Sequence, residues 1–298
     1  MEIKLCGIKF KNPIFLASGI MGDNAGALKR IAINGAGAVT TKSIGLKPNM
    51  GHKNPVIVEL DEGFLNAVGL ANPGVDNYIE ELKKIRGFLD KIGVRIIASI
   101  YGKDEEEFKE VAKKIEPYVD MIELNISCPH AKGYGLEIGQ DVDLSYNVCK
   151  SVKSAVNIPV FAKISPMVNI REIAEALCNV VDGFTAINTV KGMVIDINMK
   201  KPILSNKFGG LSGKYIKPIG VRVVYELYEY KKPIIGVGGI FNGRDALEYF
   251  MAGASAVQIG SAVYFRGYDV FNKIYKEIKE FLDKEGLELK DIIGIAHE

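Results

Sequence analysis

Eight short apolar segments, each followed by a segment of helical periodicity, run through the whole chain. The apolar segments are the length of buried strands, and the helical segments between them have about ten or more residues. Strands that alternate with helices pair in parallel, because each helix returns the chain to the same edge of the sheet. Eight such units in 298 residues predict one (β/α)8 TIM barrel domain over residues 1–298. The predicted barrel strands are residues 14–17, 38–41, 95–100, 118–124, 159–164, 183–188, 233–237 and 256–259.

An N-terminal β-hairpin and three insertions are predicted outside this repeat. Residues 2–13 alternate and then turn, which is typical of a hairpin. Residues 47–71, 131–143 and 189–213 are rich in Gly, Pro or charge, and they predict irregular insertions after strands 2, 4 and 6. A doubly wound sheet is the structural alternative, but its Gly-rich fingerprint is missing from residues 17–22. The sequence therefore favours a barrel.

Charge and cysteine usage exclude several classes of protein. With 38 basic and 36 acidic residues the net charge is +2, so we expect neither nucleic acid nor an anionic membrane surface as a partner. No apolar run approaches the ~18 residues of a membrane span, and we expect a cytoplasmic protein. The scattered cysteines argue against a disulfide framework and against a zinc or iron–sulfur site held by this chain alone. They are Cys6, Cys128, Cys149 and Cys178.

Polar side chains follow several of the predicted strands directly. The active site of a TIM barrel lies at the carboxyl ends of its strands, so these side chains converge there. A single Lys at this rim could extend to solvent, and a lone Cys is more often a small buried hydrophobe. Two Lys, two Asn and a Cys at one rim are better explained by a site. The strand-end residues are Ser18, Lys42, Ser99, Asn125, Cys128, Lys163 and Asn188.

Two glycine-containing pairs, Gly238-Gly239 and Gly260-Ser261, follow strands seven and eight. Barrels commonly bind a phosphate at these loops, although either pair alone would suit a tight turn. Phe241 interrupts any dinucleotide fingerprint, so a mononucleotide phosphate is favoured. A phosphate site, a Lys near the ring and a Cys on a loop suggest flavin chemistry. The Lys would stabilise a reduced anionic flavin, and the Cys would accept a substrate proton.

Several longer sequence motifs occur in a fixed order along the chain. They are residues 12–19 (NPIFLASG), 66–70 (NAVGL), 72–74 (NPG), 123–129 (ELNISCP), 162–166 (AKISP), 187–193 (INTVKGM), 209–213 (GGLSG) and 216–218 (IKP). Their order and spacing resemble those of the catalytic subunit of class 1B dihydroorotate dehydrogenases over essentially the whole chain. The Cys of the motif at 123–129 is similar to class 1 enzymes, whereas class 2 enzymes use a Ser as the base. The segment at 187–193 resembles class 1B rather than class 1A.

The resemblance implies oxidation of dihydroorotate to orotate in pyrimidine biosynthesis, with hydride transfer to one FMN per chain. Cys128 would be the catalytic base. It implies FMN binding by Ser18, Lys42, Ser43, Asn125, Lys163, Ile187, Gly213, Gly238, Gly239, Gly260 and Ser261. It implies dihydroorotate binding by Lys42, Asn66, Ala67, Val68, Gly69, Leu70, Asn125, Asn188 and Thr189. Ser99 departs from the family, which often has Asn there, so one flavin contact is expected to differ.

The resemblance also implies a partner. In class 1B a second subunit carries FAD and a [2Fe-2S] cluster and passes electrons to NAD, in a heterotetramer built on a homodimer of barrels. Three other functions remain open from the residues. The chain could be an FMN barrel acting on another dihydropyrimidine, or a non-redox aldolase or isomerase with Lys42 or Lys163 as a Schiff-base amine. It could also be a non-catalytic scaffold for an iron–sulfur partner.

Overall fold

The computed structural model of the protein describes residues 1–126 and 141–298. Eight parallel strands close into a barrel, as the alternation of apolar and helical segments predicted. The barrel consists of β3, β4, β7, β8, β9, β10, β15 and β16. In chain order the strands are β1 (Ile3–Leu5), β2 (Ile8–Phe10), β3 (Ile14–Leu16), β4 (Ala38–Thr40), β5 (Ile57–Leu60), β6 (Gly63–Asn66), β7 (Arg95–Ile100), β8 (Met121–Leu124), β9 (Val160–Ile164), β10 (Gly183–Ala186), β11 (Val190–Gly192), β12 (Ile195–Asp196), β13 (Lys201–Pro202), β14 (Gly209–Gly213), β15 (Ile234–Val237) and β16 (Ala256–Ile259).

The helices pack outside the barrel with their apolar faces inward. Short polar residues begin several of them: Asn24 accepts a hydrogen bond from the Ala27 N–H, and Asp104 accepts one from the Glu107 N–H. In the described residues the helices are α1 (Ala25–Ile33), α2 (Val75–Lys91), α3 (Glu105–Ile115), α4 (Val142–Lys153), α5 (Ile170–Leu177), α6 (Lys217–Tyr228), α7 (Gly243–Met251), α8 (Ala262–Arg266), α9 (Val270–Glu285) and α10 (Leu289–Ile292). None of these described helices is long and apolar enough to cross a bilayer.

The amino-terminal end of the barrel is closed by apolar side chains. The strands β1 and β2 pair antiparallel, which confirms the predicted hairpin, and its Phe10 ring lies 4.8 Å from that of Phe15. Phe161, Met121 and Ile97 belong to the same buried cluster inside the barrel. Because this end is filled, an opening for a ligand is left at the carboxyl end.

The segments at 47–71 and 189–213 differ from the irregular structure predicted for them. The strands β5, β6, β14 and β11 form a four-stranded antiparallel sheet, here called the cap sheet, and β12 pairs with β13. Leu65 in the first insertion pairs with Leu211 in the second. Most of the insertion predicted after the fourth barrel strand, residues 131–143, falls outside the described residues.

Candidate active site

A cavity of about 680 Å³ lies at the carboxyl ends of the barrel strands, beside the cap sheet. The cap contributes Phe64 and Asn66 to its wall, and barrel strands contribute Lys163 and Gln258. Nearly all of the predicted cofactor and substrate residues line this one cavity. They are Ser18, Lys42, Ser43, Asn66, Val68, Gly69, Leu70, Asn125, Lys163, Ile187, Asn188, Thr189, Gly213, Gly238, Gly239, Gly260 and Ser261.

Two predicted residues are not among those that line the cavity. Ala67 is buried against Leu65 and Leu204 in a small cluster of the cap. Its N–H donates to the Val56 carbonyl over 2.7 Å, so its backbone is also engaged away from the cavity. This follows from the extended chain, in which alternate side chains face opposite sides. Cys128, the predicted base, lies outside the described residues.

A buried polar cluster, Lys163, Glu123, Gln258 and Thr40, forms the floor of the cavity. Nζ of Lys163 lies 3.2 Å from Oε1 of Glu123, and Nε2 of Gln258 lies 2.9 Å from Oε2 of the same carboxylate. Gln258 also donates to Oγ1 of Thr40 over 3.3 Å. Since β8, β9 and β16 are not all neighbours, these side chains meet through the barrel interior. The ammonium and the carboxylate compensate each other's charge where water is excluded.

The burial of Lys163 contradicts the alternative in which it extends to solvent. Lys163 is 5% exposed, and Glu123 is fully buried. A long cationic side chain at a barrel rim ordinarily carries its ammonium into water. Here the carboxylate beneath the cavity holds it in the interior instead.

Two buried oxygen atoms near this floor have no hydrogen-bond partner within residues 1–126 and 141–298. They are Oε1 of Gln258 and Oγ1 of Thr185. Thr185 pairs in register with Lys163 on the adjacent strand. Buried polar atoms are nearly always satisfied, so Oε1 of Gln258, a residue that lines the cavity, has capacity for one hydrogen bond from a water molecule or a bound group.

A row of polar side chains, Asn188, Asn125, Ser43 and Ser99, crosses one side of the cavity. Nδ2 of Asn188 donates to Oδ1 of Asn125 over 3.2 Å, and Nδ2 of Asn125 donates to Oγ of Ser43 over 2.8 Å. Oγ of Ser43 lies 3.0 Å from Oγ of Ser99. The row fixes how both amides are oriented. Ser99 is fully buried and therefore supports this row through Ser43.

Lys42 is held at the cavity wall by two neighbours from the loop after β3. Its Nζ lies 2.5 Å from Oδ1 of Asp23, and its N–H donates to the Gly22 carbonyl over 3.0 Å. A Cβ at Gly22 would come within 2.5 Å of the Lys42 backbone nitrogen, so glycine is required for this approach. The lysine side chain is 23% exposed, which leaves its ammonium accessible to an anionic ligand.

The glycine pair after β15 forms a narrow part of the cavity wall. Gly239 has φ of +67°, a left-handed conformation that favours glycine. A Cβ there would lie 2.8 Å from Cβ of Lys217 and 2.9 Å from the Gly213 carbonyl oxygen. Glycine is therefore required at position 239, and both glycines of the pair line the cavity.

Sequence reasoning missed Asp23, Gln258 and Glu123 as members of the site. The sequence contains a signal for two of them. Glu123 precedes the predicted site residue Asn125 by two positions, and Gln258 precedes the predicted site residue Gly260 by two positions. Residues two apart on a strand face the same side. No comparable signal marks Asp23, whose loop position is set by the contact between Gly22 and Lys42.

Comparison with known proteins identifies the family to which the chain is similar. The family model described as dihydroorotate dehydrogenase matches residues 1–282. A protein of Methanocaldococcus jannaschii named "Dihydroorotate dehydrogenase B (NAD(+)), catalytic subunit" is 68% identical, over 100% of this chain and 98% of its own. A protein of the same name from Pyrococcus abyssi is 50% identical, over 99% of each chain.

A solved structure supports the same grouping. The crystal structure of DHODH from Eimeria tenella in complex with ferulenol superposes with a TM-score of 0.86 at 26% identity, covering 100% of this chain and 88% of that one. Sequence and structure agree with the motifs quoted above. The chain belongs to the dihydroorotate dehydrogenase family.

Proposed function

We propose that the chain is the catalytic subunit of an NAD-linked dihydroorotate dehydrogenase, which oxidises dihydroorotate to orotate in de novo pyrimidine biosynthesis. The observation that carries this proposal is the cavity lined by the buried ammonium of Lys163 and by Gln258, whose Oε1 has no hydrogen-bond partner in the described residues. FMN, when bound there, would accept the hydride that leaves the substrate.

The residues of the cavity suit FMN. A volume of about 680 Å³ lies within the range of cofactor sites. The pyrimidine edge of a flavin carries an N–H between two carbonyl groups, and the floor offers one acceptor and one cationic donor. The glycine pair at 238–239 suits a phosphate approached by backbone N–H groups. The proposed FMN residues are Ser18, Lys42, Ser43, Asn125, Lys163, Ile187, Gly213, Gly238, Gly239, Gly260 and Ser261.

The opposite wall of the cavity suits the substrate. Dihydroorotate is a cyclic diamide that carries a carboxylate. Amide side chains both donate to and accept from such a ring, and a Lys ammonium pairs with the carboxylate. The oriented amides of Asn125 and Asn188 would hydrogen-bond the ring, and the ammonium of Lys42 would pair with the carboxylate. The remaining proposed substrate residues are Asn66, Val68, Gly69, Leu70 and Thr189, which line the cavity, whereas Ala67 faces away from it.

Cys128 is proposed to remove the proton from C5 as the hydride leaves C6. It follows Asn125 by three residues in the sequence, and Asn125 lines the cavity. A thiol is a suitable acid–base group near neutral pH because its ordinary pKa is about 8.5. Lys163 is less suited to Schiff-base chemistry, since its ammonium faces the Glu123 carboxylate.

A partner subunit completes the proposed reaction. The relatives from Methanocaldococcus jannaschii and Pyrococcus abyssi are named catalytic subunits of NAD(+) enzymes. We propose that electrons pass to a second subunit with FAD and a [2Fe-2S] cluster, and from there to NAD. A homodimer of this chain would form the centre of a heterotetramer in the cytoplasm.

The proposal is tested by visible spectra of the purified chain, recorded anaerobically before and after addition of dihydroorotate. We expect a flavin spectrum that bleaches. A flavin that stays oxidised would keep the FMN site and move the substrate to another dihydropyrimidine. A chain that stays colourless with added FMN would overturn the oxidoreductase assignment and favour an aldolase or isomerase.

A further inference from the structure

Glu123 is a buried carboxylate that contacts two of the groups at the cavity floor. Its residue is 0% exposed. One oxygen accepts from Lys163 over 3.2 Å and the other from Gln258 over 2.9 Å. Both of those residues line the cavity, whereas Glu123 lies behind them. A change at Glu123 therefore reaches a ligand through its two neighbours.

The carboxylate determines how the Gln258 amide is oriented. A carboxylate accepts hydrogen bonds and donates none, so the amide must turn its NH₂ group toward Glu123. The same NH₂ group donates to Oγ1 of Thr40 over 3.3 Å. Oε1 is left as an acceptor without a partner in the described part of the chain. With an amide at position 123, either orientation of Gln258 would find a partner.

The carboxylate also balances the charge of the Lys163 ammonium. The two side chains are 0% and 7% exposed, so water screens them little. A negative charge under a flavin opposes the stabilisation that the ammonium gives to a reduced anionic ring. Removal of that charge changes the floor from neutral to positive.

We propose that Glu123 is a positioning residue: it holds Gln258 and Lys163 in place at the floor of the cavity where the flavin binds, and it lowers the flavin reduction potential. This inference rests on the proposed function, because it requires FMN in the cavity. Glu123 would thus influence the flavin through Lys163 and Gln258, without contacting the flavin itself.

The test compares Glu123→Gln and Glu123→Asp with the parent holoprotein. FMN affinity is measured from the release of flavin on dilution, and the reduction potential from equilibration with redox dyes. For Glu123→Gln we expect at least tenfold weaker binding of oxidised FMN. Because the positive floor favours the reduced form, we expect the affinity ratio of reduced to oxidised flavin to rise about tenfold, or about 30 mV for two electrons.

Glu123→Asp separates orientation from charge. It keeps the negative charge but is one methylene shorter, so it cannot reach both neighbours. We expect weaker FMN binding with a potential close to that of the parent. This variant also keeps the inference testable if Glu123→Gln does not fold, since parent-like FMN affinity in Glu123→Asp would overturn it.

Asp120→Asn is the matched control. Asp120 accepts from Arg86 and from the Ile96 N–H at 2.8–2.9 Å, just before β8, at the amino-terminal end of the barrel strands. Its replacement removes a carboxylate of comparable structural importance away from the cavity, and the potential should not move. If the flavin reduction potential of Glu123→Gln equals that of the parent, the inference about Glu123 is overturned while the proposed function stands. A parent chain that binds no FMN overturns the proposed function itself.

Discussion

Asn72 joins the substrate-side wall of the cavity to the barrel. Its Oδ1 accepts from the Gly45 and Gly74 N–H groups over 3.2 and 2.8 Å. Its Nδ2 donates to the Leu70 carbonyl over 2.9 Å and to the Tyr101 hydroxyl over 2.7 Å. Both donors and both acceptor positions of this buried amide are thus used. One side chain holds the loop that carries Gly69 and Leu70.

The change Asn72→Ala should destabilise the protein by roughly 3 kcal/mol, because it leaves buried N–H groups without acceptors. The KM for dihydroorotate should rise as the loop at 69–70 loses its anchor. Urea unfolding and steady-state kinetics measure the two effects. Asn77→Ala is the control: Asn77 is exposed and donates a hydrogen bond to the Pro73 carbonyl, so a loss of less than about 0.5 kcal/mol is expected. Equal losses in both variants would contradict the anchoring role.

The change Cys128→Ser should lower the rate of flavin reduction by dihydroorotate by orders of magnitude while FMN stays bound. An alkyl hydroxyl is a far weaker base than a thiol near neutral pH. Anaerobic stopped-flow spectroscopy measures the rate. Cys178→Ser is the control, since Cys178 ends helix α5 and its Sγ donates to the Glu175 carbonyl. A Cys128→Ser rate equal to that of the control would remove Cys128 from the mechanism.

Individual site residues were predictable where a polar residue ends an apolar strand. Lys42 and Asn125 stand out in the sequence for this reason, and Lys163 stands out as a charge near the end of an apolar strand; all three line the cavity. Glu123 was missed although it precedes Asn125 by two positions, because it lies inside its strand and not at the strand end. Its role depends on Gln258, a residue 135 positions away that faces it across the barrel. No local pattern contains that contact.

At the level of elements, the cap sheet was the part that the sequence did not reveal. Its strands have three to five residues, and β14 contains three glycines. Strands this short have little intrinsic preference, and packing against partners decides their formation. Here Gly213 pairs with Gly63, and Gly210 with Asn66, from an insertion about 145 residues earlier. A long helix such as α2 has a stronger local signal, because its 17 residues place Val75, Ile79 and Leu82 on one buried face.

The cap sheet has a small core of its own, formed by Leu65, Ala67 and Leu204. We expect Leu204→Ala to destabilise the cap by about 2–4 kcal/mol, because the methyl groups lost leave a cavity. Hydrogen exchange should accelerate in β6 and β14 but not in the barrel strands. Ile197→Ala is the control in the same insertion, since Ile197 is 82% exposed. Uniform acceleration over the whole chain would show that cap and barrel unfold together.

At the scale of the molecule, the barrel was predictable because its periodicity is repeated eight times. An error at one strand end does not alter such a count: β8 begins at Met121 rather than at residue 118, where a 3-10 turn containing Pro117 precedes it. The distribution of polarity inside the barrel was less evident. Apolar side chains fill the amino-terminal end, and a charged layer with Lys163 and Glu123 lies below the cavity.

The barrel and helix layers bury three weak acids that remain neutral in the folded protein. Burial raises the pKa of the Cys149 thiol from 9.0 to about 12. Burial also raises the pKa of the Tyr78 and Tyr249 hydroxyls well above the usual value of 10.0. Each hydroxyl donates to a backbone carbonyl, that of Gly22 for Tyr78 and that of Gly238 for Tyr249. In the unfolded chain all three groups ionise at their ordinary pKa values.

The free energy of unfolding should therefore fall as the pH rises above about 9. The folded state retains protons that the unfolded state releases, so the derivative of the unfolding free energy with respect to pH is negative, about 1.4 kcal/mol per pH unit for each fully titrating group. Below about pH 7.5 these groups are neutral in both states and contribute no slope. Urea unfolding between pH 7.5 and 10.5 measures the effect. Cys149→Ala lowers stability at every pH through the lost packing, but its slope above pH 9 should be shallower than the parent's, because one of the three acids is gone. Parallel slopes for parent and variant would show that Cys149 ionises no differently in the folded and unfolded chains.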